Sequence, residues 1–133
     1  MDLNLLETTL ASEPAYRRRQ VWEWAARGVS GYGAMTNIPA VLREKLDAEV
    51  PFSTLTVAAE TRSKDGTLKV LFHTADNHPV EAVLMRYRDG RRSICVSSQS
   101  GCPLTCTFCA TGQMQFRRNL SAGEILDTIK TLE

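Results

Sequence analysis

Cysteine is absent from the first 94 of the 133 residues. No run of about 18 or more apolar residues occurs, so no transmembrane helix is expected. The opening Met1-Asp2-Leu3-Asn4 has neither a basic stretch nor a long apolar one, so no secretory signal is expected. No internal repeat or low-complexity tract interrupts the chain. Charge of either sign is scarcely in excess, with 16 basic and 15 acidic residues for a net +1, which points neither toward nor away from a nucleic-acid partner. Hydrophobic residues at 43% and charged residues at 23% are a globular balance and rule out disorder. The length allows one or at most two small domains.

The four cysteines that are present, Cys95, Cys102, Cys106 and Cys109, crowd into 15 residues. A disulfide framework would spread its bridges over the fold of a secreted protein. Clustered thiols without a signal read first as a metal site. Cys102, Cys106 and Cys109 have the spacing C-x3-C-x2-C, and soft thiolates suit zinc or an iron–sulfur cluster. Three thiolates on a four-iron cube leave one iron open to a non-protein ligand. Zinc needs a fourth ligand, for which Cys95, His73 and His78 are the available candidates, and the spacing leaves both metals and unliganded thiols open.

Three regions follow from patterning. Residues 1–52 read as a helical bundle. Its helices are expected over Leu3–Leu10 with Asp2 as cap, from Ser12 and Pro14 to a stop at Gly28, and from Pro39 to Pro51. Gly31, Gly33 and Asn37 mark a loop between the last two. Residues 53–87 read as an antiparallel β extension, with strands at Thr54–Arg62, Thr67–Thr74 and Pro79–Tyr87. Asp89-Gly90 then turns into a fourth strand at Arg91–Ser98. In residues 88–133, a strand at Ile94–Ser98 and the cysteine loop precede a helix. Ser121 and Glu124 announce that helix as a capping box. Strand, loop and helix are half of a parallel βαβ unit whose returning strand is absent, so the sequence is expected to be the front part of a longer protein. The fold class expected is α+β leading into α/β.

The wider motif is more specific than the cysteines alone. Cys95-Val96-Ser97-Ser98-Gln99-Ser100-Gly101-Cys102, Cys106-Thr107-Phe108-Cys109-Ala110-Thr111-Gly112 and Arg118-Asn119-Leu120-Ser121-Ala122-Gly123-Glu124-Ile125 follow one another. Upstream stand Gln20-Val21-Trp22-Glu23-Trp24 and Asp65-Gly66-Thr67-Leu68-Lys69. Together they resemble the radical S-adenosylmethionine (SAM) dual-specificity RNA methyltransferases, which methylate adenine C2 in 23S ribosomal RNA and in transfer RNA. A relative acting on adenine C8 has a similar loop.

The resemblance implies that residues 88–133 begin a partial (β/α)6 barrel and that Cys102, Cys106 and Cys109 hold a 4Fe–4S cluster. The open iron of that cluster binds SAM, which electron transfer cleaves to a 5′-deoxyadenosyl radical. It implies that Phe108 packs near SAM, although simple loop packing serves that residue equally. For Cys95 it implies proton abstraction and pairing with a methyl-carrying cysteine, against the alternative of a small buried core residue. For Glu81, on an apolar strand, it implies a proton acceptor, against a solvated strand end. An external electron donor such as a flavodoxin, a cytoplasmic location and a monomer are further implications. The barrel's later parts and the methyl-carrying cysteine are missing, so this chain alone is expected to be inactive. Arg91, Arg92, Arg117 and Arg118, in a stretch without acidic residues, are expected to favour anionic RNA. Arg17-Arg18-Arg19 could contribute or form a solvated face. A stand-alone zinc- or RNA-binding module is the competing reading.

Overall fold

The computed structural model describes residues 1–132. Backbone contacts divide them into two compact units, Met1–Thr54 and Leu55–Leu132. The first contains α1 (Leu3–Thr9), α2 (Ala15–Ala26) and α3 (Ala40–Glu49). Asp2 caps α1 by accepting from the backbone N–H groups of Asn4 and Leu5. Pro14, not Ser12, is the cap residue of α2, and it makes no side-chain capping bond. Its fixed φ starts the helix without one. Leu42, Leu46 and Val50 recur every fourth residue and are all buried. The segment read as a loop is a short 3-10 turn at Tyr32–Ala34, and Tyr32, Met35 and Ile38 from this region join the core. Glycine-rich sequence hid this anchor, because Tyr32, Met35 and Ile38 recur every third residue, which is neither the α-helical nor the strand repeat.

The second unit is a four-stranded antiparallel meander in the order β1 (Leu55–Arg62), β2 (Leu68–Thr74), β3 (Pro79–Arg86) and β4 (Arg92–Val96). Alternation separates its faces. Leu68, Val70 and Phe72 of β2 and Val80, Ala82 and Leu84 of β3 point into one core with Leu120 and Leu132, and Ile94 and Val96 of β4 pack against it. The other face carries Lys69, Leu71, Glu81, Val83 and Cys95. Arg88, the expected start of the third region, falls in the turn between β3 and β4. Ile94–Ser98 lies largely within β4, antiparallel to β3. Among the described residues no strands pair in parallel. Glu133 lies outside the described residues.

Beyond β4, Gln99–Ser100 (β5) pairs antiparallel with Arg118–Asn119 (β6) and closes the base of the cysteine loop. Ser100 fastens that base to the meander, its hydroxyl donating to the Pro79 carbonyl at 2.8 Å. α4 (Ala122–Leu132) follows. Its capping box is formed in both directions, with the Ser121 N–H donating to Glu124 Oε2 at 2.8 Å and the Glu124 N–H to Ser121 Oγ at 3.2 Å.

One guanidinium joins these parts. Arg118 donates through Nε and Nη2 to both oxygens of Asp76, each at 2.7 Å. It donates through Nη1 and Nη2 to both oxygens of Glu124, at 2.9 and 2.7 Å. Asp76 sits in the β2–β3 turn, Arg118 at the loop exit and Glu124 at the start of α4. The Arg118 guanidinium holds the carboxyl of Glu124 below the usual range, and holds Asp76 well below it with help from the Thr74 hydroxyl. Glu124 also receives the Ser121 N–H. The two carboxylates raise the pKa of Arg118 itself. Two of the four arginines expected to be unopposed therefore have acidic partners. Arg118 is neutralised twice, and Arg91 pairs with Asp89 at 2.7 Å. Their carboxylates lie outside the Gly90–Leu120 stretch, Asp89 and Glu124 just beyond its ends and Asp76 42 residues before Arg118.

Arg118→Met should lower unfolding stability by about 1–3 kcal/mol at neutral pH, since charge-assisted hydrogen bonds are lost from a partly buried carboxylate. Both carboxyl pKa values are lowered on folding, so the clasp's contribution is full above the unfolded values of about 3.9 and 4.3 and fades as pH falls through the folded ones. Urea titrations should show a wild-type advantage that is constant above about pH 5 and shrinks in acid. A difference that does not change with pH contradicts the clasp.

Candidate functional site

Glu81 and Cys95 lie 14 residues apart in sequence. The meander makes them near neighbours. Cys95 pairs with Val83, and Glu81 is two residues further along β3 on the same face. That diagonal relation puts the two residues on one face about 7–8 Å apart. Cys95 is exposed, not a core residue, and its thiol is free. Glu81 is half exposed and its carboxylate meets Lys69 Nζ at 2.7 Å. At that exposure the ion pair adds little stability, about 0–1 kcal/mol, so its main effect is on where the carboxylate points. Lys69 escaped the sequence reading as a site residue. Alternation put it on a face with Leu71, but only the register, Leu71 opposite Glu81, brings it beside the carboxylate.

Next to Glu81 a cleft of about 210 Å³ opens. One wall is sheet, with Lys69, Leu71 and Glu81. The other comes from the cysteine segment, with Gly101, Thr111 and Met114. The cleft thus runs from the Glu81 face to Gly101 and Ala110, which directly flank Cys102 and Cys109.

The loop backbone is closely determined. Gly101 has φ +71°, and a Cβ there would overlap the Gln115 carbonyl, so glycine is required at the loop entrance. Gly112 rests on the backbone of Cys106, where a Cβ would lie 2.8 Å from both its N and its O. Thr105, just before Cys106, has φ +49°, a left-handed conformation unusual for a β-branched residue. Such strain concentrates at functional sites. The Cys109 N–H donates to the Cys106 carbonyl at 3.2 Å, which folds the C-x2-C segment into a turn.

Cys102, Cys106 and Cys109 are partly exposed and free of disulfides. Their donor chemistry, three soft thiols on one loop, fits an iron–sulfur cluster. Among the described residues, however, no three His, Cys, Asp or Glu side chains are gathered tightly enough to hold a metal. The loop presents the donors without drawing them to one point. Phe108, between two of them, is 91% exposed and Leu104 is 74% exposed, so neither packs into the loop. His78 is engaged elsewhere, with Nε2 3.4 Å from Asp76. In the helical unit Arg17 donates to Gln20 Oε1 and to the Asn37 carbonyl, and Arg19 pairs with Glu23 at 3.4 Å. Among the described residues no helix is long and apolar enough to cross a membrane.

No protein-family model matches the chain. It is 43% identical over 131 residues to the probable dual-specificity RNA methyltransferase RlmN of Thermus thermophilus, a match covering 98% of this chain and 36% of that protein. It is 44% identical over 118 residues to the dual-specificity RNA methyltransferase RlmN of Anaeromyxobacter dehalogenans, covering 88% of this chain and 32% of that protein. The crystal structure of a radical SAM methyltransferase from Sphaerobacter thermophilus superposes with a TM-score of 0.84 at 43% identity, over 99% of this chain and 40% of that one. The chain thus spans 36% of the length of the Thermus relative. Over that span it is a homologue of the radical SAM dual-specificity RNA methyltransferase family.

Proposed function

We propose that this chain is the part of a radical SAM RNA methyltransferase that carries the cluster loop and two of the reacting side chains. In this reading, the complete protein methylates adenine C2 in 23S ribosomal RNA and transfer RNA, while the 133-residue chain alone is inactive. Residues 1–52 form the RNA-facing helical domain and 53–87 the β extension. Residues 88–133 open a (β/α)6 barrel. The observation that carries the reading is the shared face of Glu81 and Cys95 beside a cleft that reaches the cysteine segment.

Cys102, Cys106 and Cys109, as thiolates, would hold the 4Fe–4S cluster. What the bound cluster and SAM supply is one-electron chemistry that creates a carbon radical. The chain's own residues then manage protons. Glu81, aimed by Lys69 at 2.7 Å, accepts a proton on the open face. Cys95, an exposed thiol on the same face, takes the adenine C2 proton and forms a disulfide with a methyl-carrying cysteine from outside this chain, as that cysteine's bond to the transferred carbon breaks and the carbon gains a proton. Phe108 stands exposed between two ligands, free to cover bound SAM. The electron comes from a donor such as a flavodoxin. Four free thiols accord with a reducing, cytoplasmic setting.

Anaerobic reconstitution of the chain with iron and sulfide should give a 4Fe–4S spectrum. Cys102→Ala, Cys106→Ala and Cys109→Ala should each abolish iron binding, and Cys95→Ala should retain it. Zinc bound with no iron, or iron lost with Cys95, overturns the assignment and favours a zinc module. In the complete protein, Glu81→Gln and Cys95→Ser should each reduce methylated adenine by about 100-fold or more, the scale of a lost proton-transfer group. Mass spectrometry of the product separates C2 from C8 methylation.

A further inference from the structure

The meander has two unlike ends. The β2–β3 turn, the loop base and the Arg118 clasp share one. The β1–β2 and β3–β4 turns share the other, and β3 separates the ends by roughly 23 Å at the usual rise per residue. At the second end, residues 62–67 and 86–92 carry six basic side chains, Arg62, Lys64, Arg86, Arg88, Arg91 and Arg92, against two acidic ones. Both carboxylates are consumed locally. Asp65 accepts from the Ser63 hydroxyl and the Thr67 N–H within its own turn. Asp89 accepts from the Arg91 N–H at 3.1 Å and Arg91 Nε at 2.7 Å.

What remains is uncompensated. Arg86 and Arg92 are directly opposed across β3 and β4, a like-charge pairing that destabilises a sheet unless an anion relieves it. Among the described residues Arg62, Lys64, Arg86, Arg88 and Arg92 form no ion pair. The two turns lie side by side, since a Cβ at Gly66 would meet Arg86 Cδ at 3.6 Å. Tyr87 is 42% exposed, and Arg91 stacks on its ring at 4.9 Å. Flexible cations around one exposed aromatic ring suit a chain of phosphates with stackable bases.

We infer that this end of the meander is an RNA-backbone contact, remote from the cysteine loop. The inference rests on RNA being the substrate class proposed above. Contacts so far from Glu81 bind ground state and transition state alike, so they set affinity and not the chemical step.

The test is fluorescence titration of the chain with a labelled RNA stem-loop over a range of potassium chloride. Arg86→Gln/Arg88→Gln/Arg92→Gln should weaken binding at least about tenfold and reduce the slope of log K against log salt by about 2–3, near one unit for each phosphate no longer neutralised. Lys64→Gln/Arg88→Gln, confined to the turns, should give a smaller loss in the same direction with unchanged circular dichroism. Both variants should take up iron like the wild type. Unchanged affinity and slope in the triple variant, or no RNA binding by an iron-loaded wild type, overturns the inference and leaves the enzyme reading intact. Preference for phosphatidylserine vesicles over RNA overturns it in favour of a membrane surface. Failure to take up iron tells against the enzyme reading instead.

Discussion

The cysteine segment depends on the two-sided grip of Arg118 on Asp76 and Glu124. A long loop bearing exposed Phe108 and Leu104 has little apolar burial of its own to hold it. Its position comes from its ends. At the entrance, Gly101 and the Ser100 hydroxyl fix the chain against Gln115 and Pro79. At the exit, a planar guanidinium with two fork-like carboxylate contacts ties the loop to a sheet turn and a helix start together. Lysine could not satisfy both carboxylates in this geometry, because an ammonium lacks the planar fork.

That grip gives the sheet its polarity. Charges at the clasp are matched in close pairs, and Glu81 and Cys95 lie nearer this end of their strands. At the opposite end the cations outnumber the carboxylates and Arg86 faces Arg92. Folding stability alone would not select that pairing, whereas an anionic partner makes it useful. The meander thereby holds Glu81 and Cys95 toward one end and unpaired positive charge at the other, on the same strands.

Much of this was legible in the sequence. Strand alternation in Leu68–Thr74, the Asp89-Gly90 turn and the Ser121–Glu124 capping box each report local physics, and the elements occur there. The spacing of the three loop cysteines identified candidate donors but could not say whether their sulfurs converge. What remained hidden was non-local. The anchor around Tyr32–Ala34 follows neither the α-helical nor the strand repeat, Ser12 lost the capping role to Pro14, and the Lys69–Glu81 contact needs the strand register. Arg118 looked unopposed in part because one of its partners, Asp76, lies 42 residues before it. Long-range charge pairing leaves no trace in a sequence window.

The central claim is that Cys102, Cys106 and Cys109 serve one iron centre, while Cys95 stays free for chemistry beside Glu81. Anomalous diffraction at the iron edge, from crystals of the anaerobically reconstituted chain, tests this most directly. The account predicts a single four-iron centre ligated by the sulfurs of the three loop cysteines, with the Cys95 thiol unligated on the Glu81 face. Metal ligated by Cys95 or by His78, or a lone zinc ion in place of iron, would contradict it.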